Sequence, residues 1–283
     1  MMDIDKKYLN WFIEKALQED VGDGDHTSNA CISPGSISTA KLLVKDPGII
    51  AGIEVAKRIF YYVDKNMKFN AFKKDGDVVA YGDIAFTVEG KTRALLMAER
   101  LVLNTMQRLS GIATTSYEFA QEVQGLPVKI LDTRKTTPLL RPLEKWAVRT
   151  GGCYNYRDGL YDWIMIKDNH VDATGSIRKA ITKVHEYLKE HNLDLGITVE
   201  VRNLVELHEV LETGGVTRIM LDNFEIPLLK EAVCTVDKRF ETEASGGITL
   251  QNLRAIAETG VDYISTGALT HSAGILDLSL KLK

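Results

Sequence analysis

The chain has 283 residues, of which 45% are hydrophobic and 26% charged, and its formal net charge is −4. This composition is typical of a globular protein with one large domain or two smaller ones, and the acidic balance argues against broad nucleic-acid or membrane-surface binding. The three cysteines do not form a disulfide or zinc pattern, and no apolar stretch has the length of a signal peptide or membrane span, so we expect a protein of the reducing cytoplasm.

The first 90 residues predict a small α+β unit. Apolar residues fall at helical spacing over residues 4–19, and the stretch "VGDGDHTS" that follows predicts a polar loop containing His26. Residues 38–46 and 67–89 have the pattern of short strands and hairpins on either side of a predicted helix over residues 52–64.

After Lys91 the pattern changes to a long helix followed by alternating strands and helices. One apolar face of the long helix is formed by Leu95, Val102, Met106, Leu109 and Ala113. The predicted strands cover residues 128–132, 163–166, 197–201, 217–221, 241–244 and 261–265, with an extra strand near 152–156 as an option. The predicted helices cover residues 138–150, 172–191, 204–213, 225–236 and 249–258. Such β-then-α units suit a parallel (β/α) barrel better than an open sheet, and the alternating tail "ILDLSLKLK" predicts a last strand that returns to the first sheet.

Polar or glycine residues follow nearly every strand of the predicted barrel, where the working face of such a barrel lies. The late loops "ASGGIT" and "STGAL" each precede a helix or turn, and their glycines would let backbone N–H groups approach a phosphate closely. Glu200 and Asp222 follow two middle strands, where they would bind a divalent cation or sugar hydroxyls, unless each forms an internal salt bridge.

The segment from Lys129 to Lys167 has eight basic and four acidic residues, a net charge of +4 in an acidic chain. A solvated helix face would explain part of this charge, but several cations follow strand-like runs. Arginine binds planar carboxylates through two parallel hydrogen bonds. Four cations at such positions would suit a small dicarboxylic acid; they are Arg134, Lys135, Arg157 and Lys167.

These residues lie within motifs that span nearly the whole chain. The motifs are "GDGDHTS", "AERLVLNTMQRLSGIAT", "LDTRKTTP", "LEKWAV", "YNYRDGL", "IKDNH", "VEV", "MLDN", "ASGGI" and "STGALTHS". In their order and spacing the sequence resembles the quinolinate phosphoribosyltransferase family. The resemblance implies conversion of quinolinate and phosphoribosyl pyrophosphate to nicotinate mononucleotide, pyrophosphate and carbon dioxide in de novo NAD synthesis.

The resemblance also implies a fold and an assembly. It implies an N-terminal α+β sandwich domain over residues 1–112, joined by a C-terminal strand at 272–283, and an incomplete (β/α) TIM-like barrel over residues 113–271. It implies a homodimer in which Arg100 reaches the neighbouring subunit's site, with small-molecule substrates and no nucleic-acid or membrane partner.

Roles for the site residues follow from the same resemblance. The pyridine dicarboxylate is expected to contact Arg134, Lys135, Tyr156, Arg157 and Lys167. The expected ribose and Mg²⁺ carboxylates are Glu200 and Asp222, and with Lys135 and Lys167 they form the expected catalytic set. The expected sugar-phosphate cradle consists of Ser245, Gly246, Gly247, Thr266 and Gly267, joined by His271.

One departure from the family concerns Tyr156, which stands where the family usually has histidine. Tyrosine can donate one hydrogen bond to a carboxylate but does not become cationic near neutral pH. This substitution leaves open a relative that uses nicotinate and releases no carbon dioxide. A sugar-phosphate aldolase or isomerase with Lys167 as Schiff-base lysine, and a non-enzymatic sensor of phosphoribosyl ligands, are the other readings.

Overall fold

The structure is a computed structural model that describes residues 4–282 of the chain. It divides into two compact units. The first contains the described residues up to Tyr117, together with Thr137–Gly152 and the segment from Ala273 onward; the second contains Glu118–Thr136 and Cys153–Ser272. The segment 137–152 thus groups with the first unit, and the predicted domain limits at 112 and 271 stay predictions.

The first unit is built on an antiparallel sheet with helices. Its elements are α1 (Lys6–Val21), α2 (His26–Cys31), β1 (Ile37–Val44), β2 (Gly48–Ile49), α3 (Ile53–Val63), β3 (Lys68–Ala71), β4 (Val78–Val79), β5 (Ile84–Lys91), most of α4 (Thr92–Glu122) and α5 (Arg141–Thr150). The predicted apolar face of α4 is confirmed, since Leu95, Val102, Met106, Leu109 and Ala113 are all buried. The prediction that His26 lies in a loop was wrong. Asp25 caps α2, and His26 is the first residue of that helix.

The second unit alternates strands with helices, as predicted. Its elements are β6 (Lys129–Leu131), β7 (Ile164–Ile166), α6 (Asp168–Thr174), α7 (Ile177–Glu190), β8 (Ile197–Val201), α8 (Leu204–Thr213), β9 (Arg218–Asp222), α9 (Ile226–Val236), β10 (Glu241–Ser245), α10 (Leu250–Ala257), β11 (Tyr263–Ser265) and α11 (Ala268–His271). The helix predicted over residues 172–191 is two helices, because Gly175 adopts φ 87° and the Ser176 side chain caps α7.

The six strands of this unit form one parallel sheet in the order β6-β11-β10-β9-β8-β7. Among the described residues no ladder joins β6 to β7, so the sheet is not closed, which agrees with the incomplete barrel that the family resemblance implies. The optional strand near 152–156 is reduced to one parallel bridge between Leu131 and Tyr154.

The last strand, β12 (Leu278–Leu282), pairs with β1 and extends the sheet of the first unit to the order β12-β1-β5-β3. Leu276, Leu278 and Leu280 are buried, which confirms the period of two that predicted this strand. Within residues 4–282, no helix combines the length and apolar character that crossing a membrane requires.

Candidate active site

The strand register of the second unit brings the predicted site residues to one edge of the sheet. Ser245 pairs with Asp222, and Val201, the residue after Glu200, pairs with Leu221. Leu131 and Ser265 are paired at the ends of β6 and β11, so the residues that follow them lie at the same edge. This edge is the carboxyl end of all six strands, which is where active sites of parallel barrels form.

Lys167 and Glu200 form an ion pair at this edge. The Lys167 Nζ lies 2.9 Å from Glu200 Oε2, and the side chains are 46% and 11% exposed, so the ammonium faces solvent above a nearly buried carboxylate. The backbone N–H of Lys167 donates to His170 Nδ1 at the start of α6. Lys167 is thus engaged by a carboxylate rather than enclosed in an apolar pocket, which does not favour the reading as a Schiff-base lysine.

Asn223 links Asp222 to the first glycine loop. Its backbone is left-handed, with φ 55°, its N–H donates to the Ser245 carbonyl over 2.8 Å, and its amide nitrogen donates to Asp222 Oδ2 over 2.6 Å. Gly246 also has positive φ, and a Cβ at this position would lie 2.2 Å from Asn223 Oδ1. Only glycine fits here, because both the backbone conformation and the contact with Asn223 exclude a side chain.

Gly247 leads from this contact into α10. It has φ 60°, and no atom lies within 4 Å of where its Cβ would be, so its backbone is open to a ligand. Its carbonyl accepts a hydrogen bond from the Asn252 side chain, whose oxygen in turn accepts from the Thr249 N–H at the start of the helix. The hydrogen bonds of Asn252 therefore fix the loop, while Gly247 stays accessible.

The second glycine loop brings Lys135 and His271 together over Gly267. A Cβ on Gly267 would lie 2.5 Å from His271 Cδ2 and 2.9 Å from Lys135 Cδ. The Thr270 hydroxyl donates to the Lys135 carbonyl over 2.7 Å, which fixes the lysine backbone to α11. The Thr266 hydroxyl is buried and contacts the Ile248 carbonyl and the Ala268 N–H, so it braces the loop from inside.

Arg157 and Arg134 are close enough to influence each other electrostatically. The Arg157 guanidinium donates to the Trp163 carbonyl over 3.1 Å and contacts Met165 Sδ at 3.6 Å. Its pKa is lowered first by burial and then by the charge of Arg134. The two guanidinium groups therefore lie close enough to bind one planar anion together.

Tyr156 is held at three points. Its N–H donates to Asp132 Oδ1 over 2.8 Å, its hydroxyl lies 2.6 Å from Thr198 Oγ1, and its ring meets the Trp163 ring edge-on. Burial, followed by the charge of Glu243, raises the pKa of the phenol, so it stays neutral at physiological pH. Within the protein this hydroxyl contacts Thr198 and the Glu243 carboxylate, and its predicted hydrogen bond to a substrate carboxylate stays a prediction.

Arg100 belongs to the first unit and is exposed on α4. Two other arginines of this helix are tied internally: Arg93 donates to the Ile32 carbonyl, and Arg108 donates to Glu144 over 2.9 Å. Within residues 4–282, by contrast, no side-chain hydrogen bond or ion pair is formed by Arg100. Its charge is therefore available to an anion outside its own chain.

Two carboxylates, Glu200 and Asp222, are the donors that would fit a divalent cation. No cluster of three or more histidine, cysteine, aspartate or glutamate side chains suited to a metal occurs in the described part of the chain. Mg²⁺ is commonly held by one or two carboxylates together with substrate phosphates and water. The pair therefore fits Mg²⁺ that arrives with a phosphorylated substrate rather than a preformed protein cage.

Sequence reasoning missed several residues that shape the site. Asn223 could have been found from the sequence, because asparagine tolerates a left-handed backbone and this asparagine directly follows a predicted strand. Charged residues within the strands β9 and β10 were a further signal, since parallel strands are normally apolar. The residues to which sequence reasoning gave no role are Asp132, Trp163, Thr198, Arg218, Asn223 and Glu243.

Comparison with known proteins identifies close relatives. Residues 25–110 and 112–281 match the N-terminal and C-terminal domain models of quinolinate phosphoribosyl transferase. The chain is 47% identical to quinolinate phosphoribosyltransferase [decarboxylating] 1b of Nicotiana tabacum, over 97% of this chain and 82% of that protein. It is 44% identical to the probable nicotinate-nucleotide pyrophosphorylase [carboxylating] of Bacillus subtilis, over 97% of this chain and 92% of that protein. The crystal structure of NadC from Streptococcus pyogenes superposes with a TM-score of 0.94 at 37% identity, covering 100% of this chain and 99% of the other.

Proposed function

Because the chain belongs to the quinolinate phosphoribosyltransferase family, we propose that it converts quinolinate and phosphoribosyl pyrophosphate to nicotinate mononucleotide, pyrophosphate and carbon dioxide. It is thus a pentosyltransferase of NAD biosynthesis. The observation that supports this most is the meeting of a cationic group and two glycine loops at one edge of the parallel sheet. A dicarboxylate and a sugar phosphate need these two kinds of site side by side.

The dicarboxylate is bound by a group of basic side chains, namely Arg134, Lys135, Arg157 and Lys167. The charge of Arg134 lowers the pKa of Arg157, so the two guanidinium groups lie close enough to bind the carboxylates of one substrate together. Lys167 adds an exposed ammonium whose position is set by Glu200. Lys135 lies against Gly267, between this group and the phosphate loops, and Tyr156 completes the set.

The sugar phosphate is bound by the two glycine loops. A Cβ on Gly247 would have no neighbour within 4 Å, so the loop has room for a phosphate there, and it follows Ser245, the last residue of β10, and Gly246. Gly267 and His271 form the second wall, with Thr266 bracing the loop from within. Backbone N–H groups bind phosphate oxygens without the conformational cost of long side chains.

Glu200 and Asp222 would hold the ribose hydroxyls and a Mg²⁺ ion that accompanies the pyrophosphate. When bound, Mg²⁺ neutralises negative charge on the leaving pyrophosphate. The two carboxylates also favour the positive charge that develops on the ribose as the bond to pyrophosphate breaks. Asn223 keeps Asp222 oriented through the 2.6 Å hydrogen bond to Oδ2.

The order of the chemical steps follows from the charge that develops on the ribose and then on the pyridine ring. The pyridine nitrogen attacks the anomeric carbon, pyrophosphate leaves, and the quaternised ring becomes an electron sink. The adjacent carboxylate departs as carbon dioxide, and its electron pair stays on the ring carbon next to the positive nitrogen. That carbon takes a proton, for which the ammonium groups of Lys135 and Lys167 are the candidate donors. No nucleophilic residue is needed.

The enzyme acts as a homodimer in which Arg100 contributes to the partner subunit's site. The support for this is that Arg100 is exposed and tied to no side chain among residues 4–282, unlike Arg93 and Arg108 on the same helix. A cytoplasmic location is proposed from the cysteines. All three are thiols, and burial raises the pKa of Cys153 to about 12, which leaves it unreactive.

Substitution of Gly246 by alanine tests the phosphate cradle. The new Cβ would meet Asn223 Oδ1 at 2.2 Å at a φ of 90°, so the loop and Asn223 must both shift. We expect the KM for phosphoribosyl pyrophosphate to rise about tenfold or more, because small displacements of substrate-binding groups have effects of this size.

The matched control is Gly260→Ala, at φ 91°, where the nearest atom would be 3.7 Å away. This variant carries the left-handed strain of about 1–2 kcal/mol without the collision. Its Tm should fall while its KM for phosphoribosyl pyrophosphate stays unchanged. Equal KM values for both alanine variants would contradict the placement of the phosphate.

The reaction itself is tested with purified protein, Mg²⁺ and phosphoribosyl pyrophosphate, supplied with quinolinate in one tube and nicotinate in another. The proposal predicts nicotinate mononucleotide and carbon dioxide from quinolinate and no nucleotide from nicotinate. Nucleotide formed from nicotinate alone would instead make Tyr156 the mark of a changed substrate.

A further inference from the structure

The Thr198 hydroxyl joins two aromatic side chains inside the second unit. It lies 2.6 Å from the Tyr156 hydroxyl and 2.8 Å from Trp163 Nε1, and Thr198 is fully buried. The indole N–H can only donate, so Thr198 accepts from Trp163 and also bonds to Tyr156. One hydroxyl thereby connects the two ends of the loop 156–163.

Arg218 contacts the same two rings through its guanidinium. Its guanidinium lies 5.1 Å from the centre of the Tyr156 ring and 5.6 Å from that of Trp163. Its charge is compensated by Glu241 and Glu243, each at 3.0 Å, and Arg218 is 6% exposed. A cation so enclosed is unsuited to binding substrate and instead holds the rings in place.

The loop between the two rings carries Arg157. The Arg157 guanidinium donates to the carbonyl of Trp163 over 3.1 Å, so its direction depends on where Trp163 lies. The backbone N–H groups of Asp158 and Gly159 donate to Asp162, which makes the loop compact. Displacing either aromatic ring would therefore re-aim the guanidinium.

We propose that Thr198 is a positioning residue for the dicarboxylate substrate, acting through Tyr156 and Trp163 to orient Arg157. The inference rests on the proposed function and deepens it. Thr198 is not itself in contact with substrate. Its hydroxyl sets the binding geometry of one carboxylate, and it does not affect the phosphate loops or the chemical step.

The test compares Thr198→Val, which removes the hydroxyl at nearly constant volume, with Tyr156→Phe and the double variant. For both single variants the KM for quinolinate should rise about tenfold. The kcat and the KM for phosphoribosyl pyrophosphate should stay within about twofold, because the phosphate loops are untouched. The effect of the double variant should be smaller than the sum of the two single effects, because the two substitutions share one hydrogen bond; Tyr156→Phe also removes the contact of the hydroxyl with Glu243.

Two controls separate positioning from general destabilisation. Thr242→Val removes an equally buried hydroxyl on β10 that bonds to Asp262 over 2.9 Å, so it should lower Tm without changing the KM for quinolinate. Thr198→Ser keeps the hydroxyl and should keep the wild-type KM for quinolinate. Thr198→Ala, which also lacks the hydroxyl, takes the place of the valine variant if that variant fails to fold.

An unchanged quinolinate KM in Thr198→Val, with active wild-type enzyme, overturns the inference and leaves the proposed function intact. A raised KM in Tyr156→Phe alone, or additive effects in the double variant, also overturns it, because Tyr156 would then act independently of Thr198. Absence of wild-type turnover with quinolinate overturns the proposed function, and the inference falls with it.

Discussion

Replacing Lys167 or Arg134 by alanine is expected to abolish turnover and to weaken quinolinate binding by roughly tenfold to a hundredfold. Each substitution removes one charge-assisted contact to a carboxylate, worth about 1.5–3 kcal/mol. Lys167→Ala also leaves the nearly buried Glu200 without its ion-pair partner at 2.9 Å. Quinolinate affinity is measured by calorimetry and turnover by nucleotide formation.

Matched controls exist for both substitutions. Lys68→Ala breaks an ion pair with Glu89 at 2.7 Å, and Arg178→Ala breaks one with Glu212 at 3.5 Å, and the side chains of both pairs are exposed. Surface pairs contribute about 0–1 kcal/mol, so these variants should keep both activity and affinity. Unchanged quinolinate affinity in Lys167→Ala and Arg134→Ala would show that the dicarboxylate site is misplaced.

Arg100→Ala is the second substitution expected to abolish turnover, in this case with the fold intact. Arg100 is exposed on α4, so its loss leaves no buried charge unpaired and should not change Tm. Activity should return when this variant exchanges subunits with Arg134→Ala. Half of the randomly mixed dimers are heterodimers, each with one intact site, so about a quarter of wild-type activity is expected.

The exchange experiment has a direct control. A mixture of Arg134→Ala and Lys167→Ala would regain activity only if the two residues served the sites of different subunits. The proposal places both residues in the same site. That mixture should therefore stay inactive. Failure of the Arg100 and Arg134 mixture to recover, with subunit exchange verified, would contradict a shared site.

The strands and helices of the second unit were predictable because their signals are local. Most strands contain a short apolar run and alternate with helices, and parallel order follows from that alternation. Gly175 and Ser176 were also local signals, and they explain why one predicted helix is two. Lys167 was found because it directly follows β7, and Glu200 and Asp222 because they lie at the carboxyl ends of β8 and β9.

The supporting contacts could not be predicted because they join residues far apart in the chain. Tyr156 and Thr198 are separated by 42 positions, and nothing in either neighbourhood specifies the other. Asn223 meets Gly246 only because the register pairs Asp222 with Ser245. Such pairings depend on sheet geometry, which a single sequence does not state.

The central claim is tested most directly by supplying quinolinate labelled with ¹⁴C in the carboxyl group next to the ring nitrogen. Labelled carbon dioxide, unlabelled nicotinate mononucleotide and pyrophosphate are then quantified in one reaction. The account predicts equal amounts of all three and no labelled nucleotide. Label retained in the nucleotide, or nucleotide formed without carbon dioxide, would contradict it.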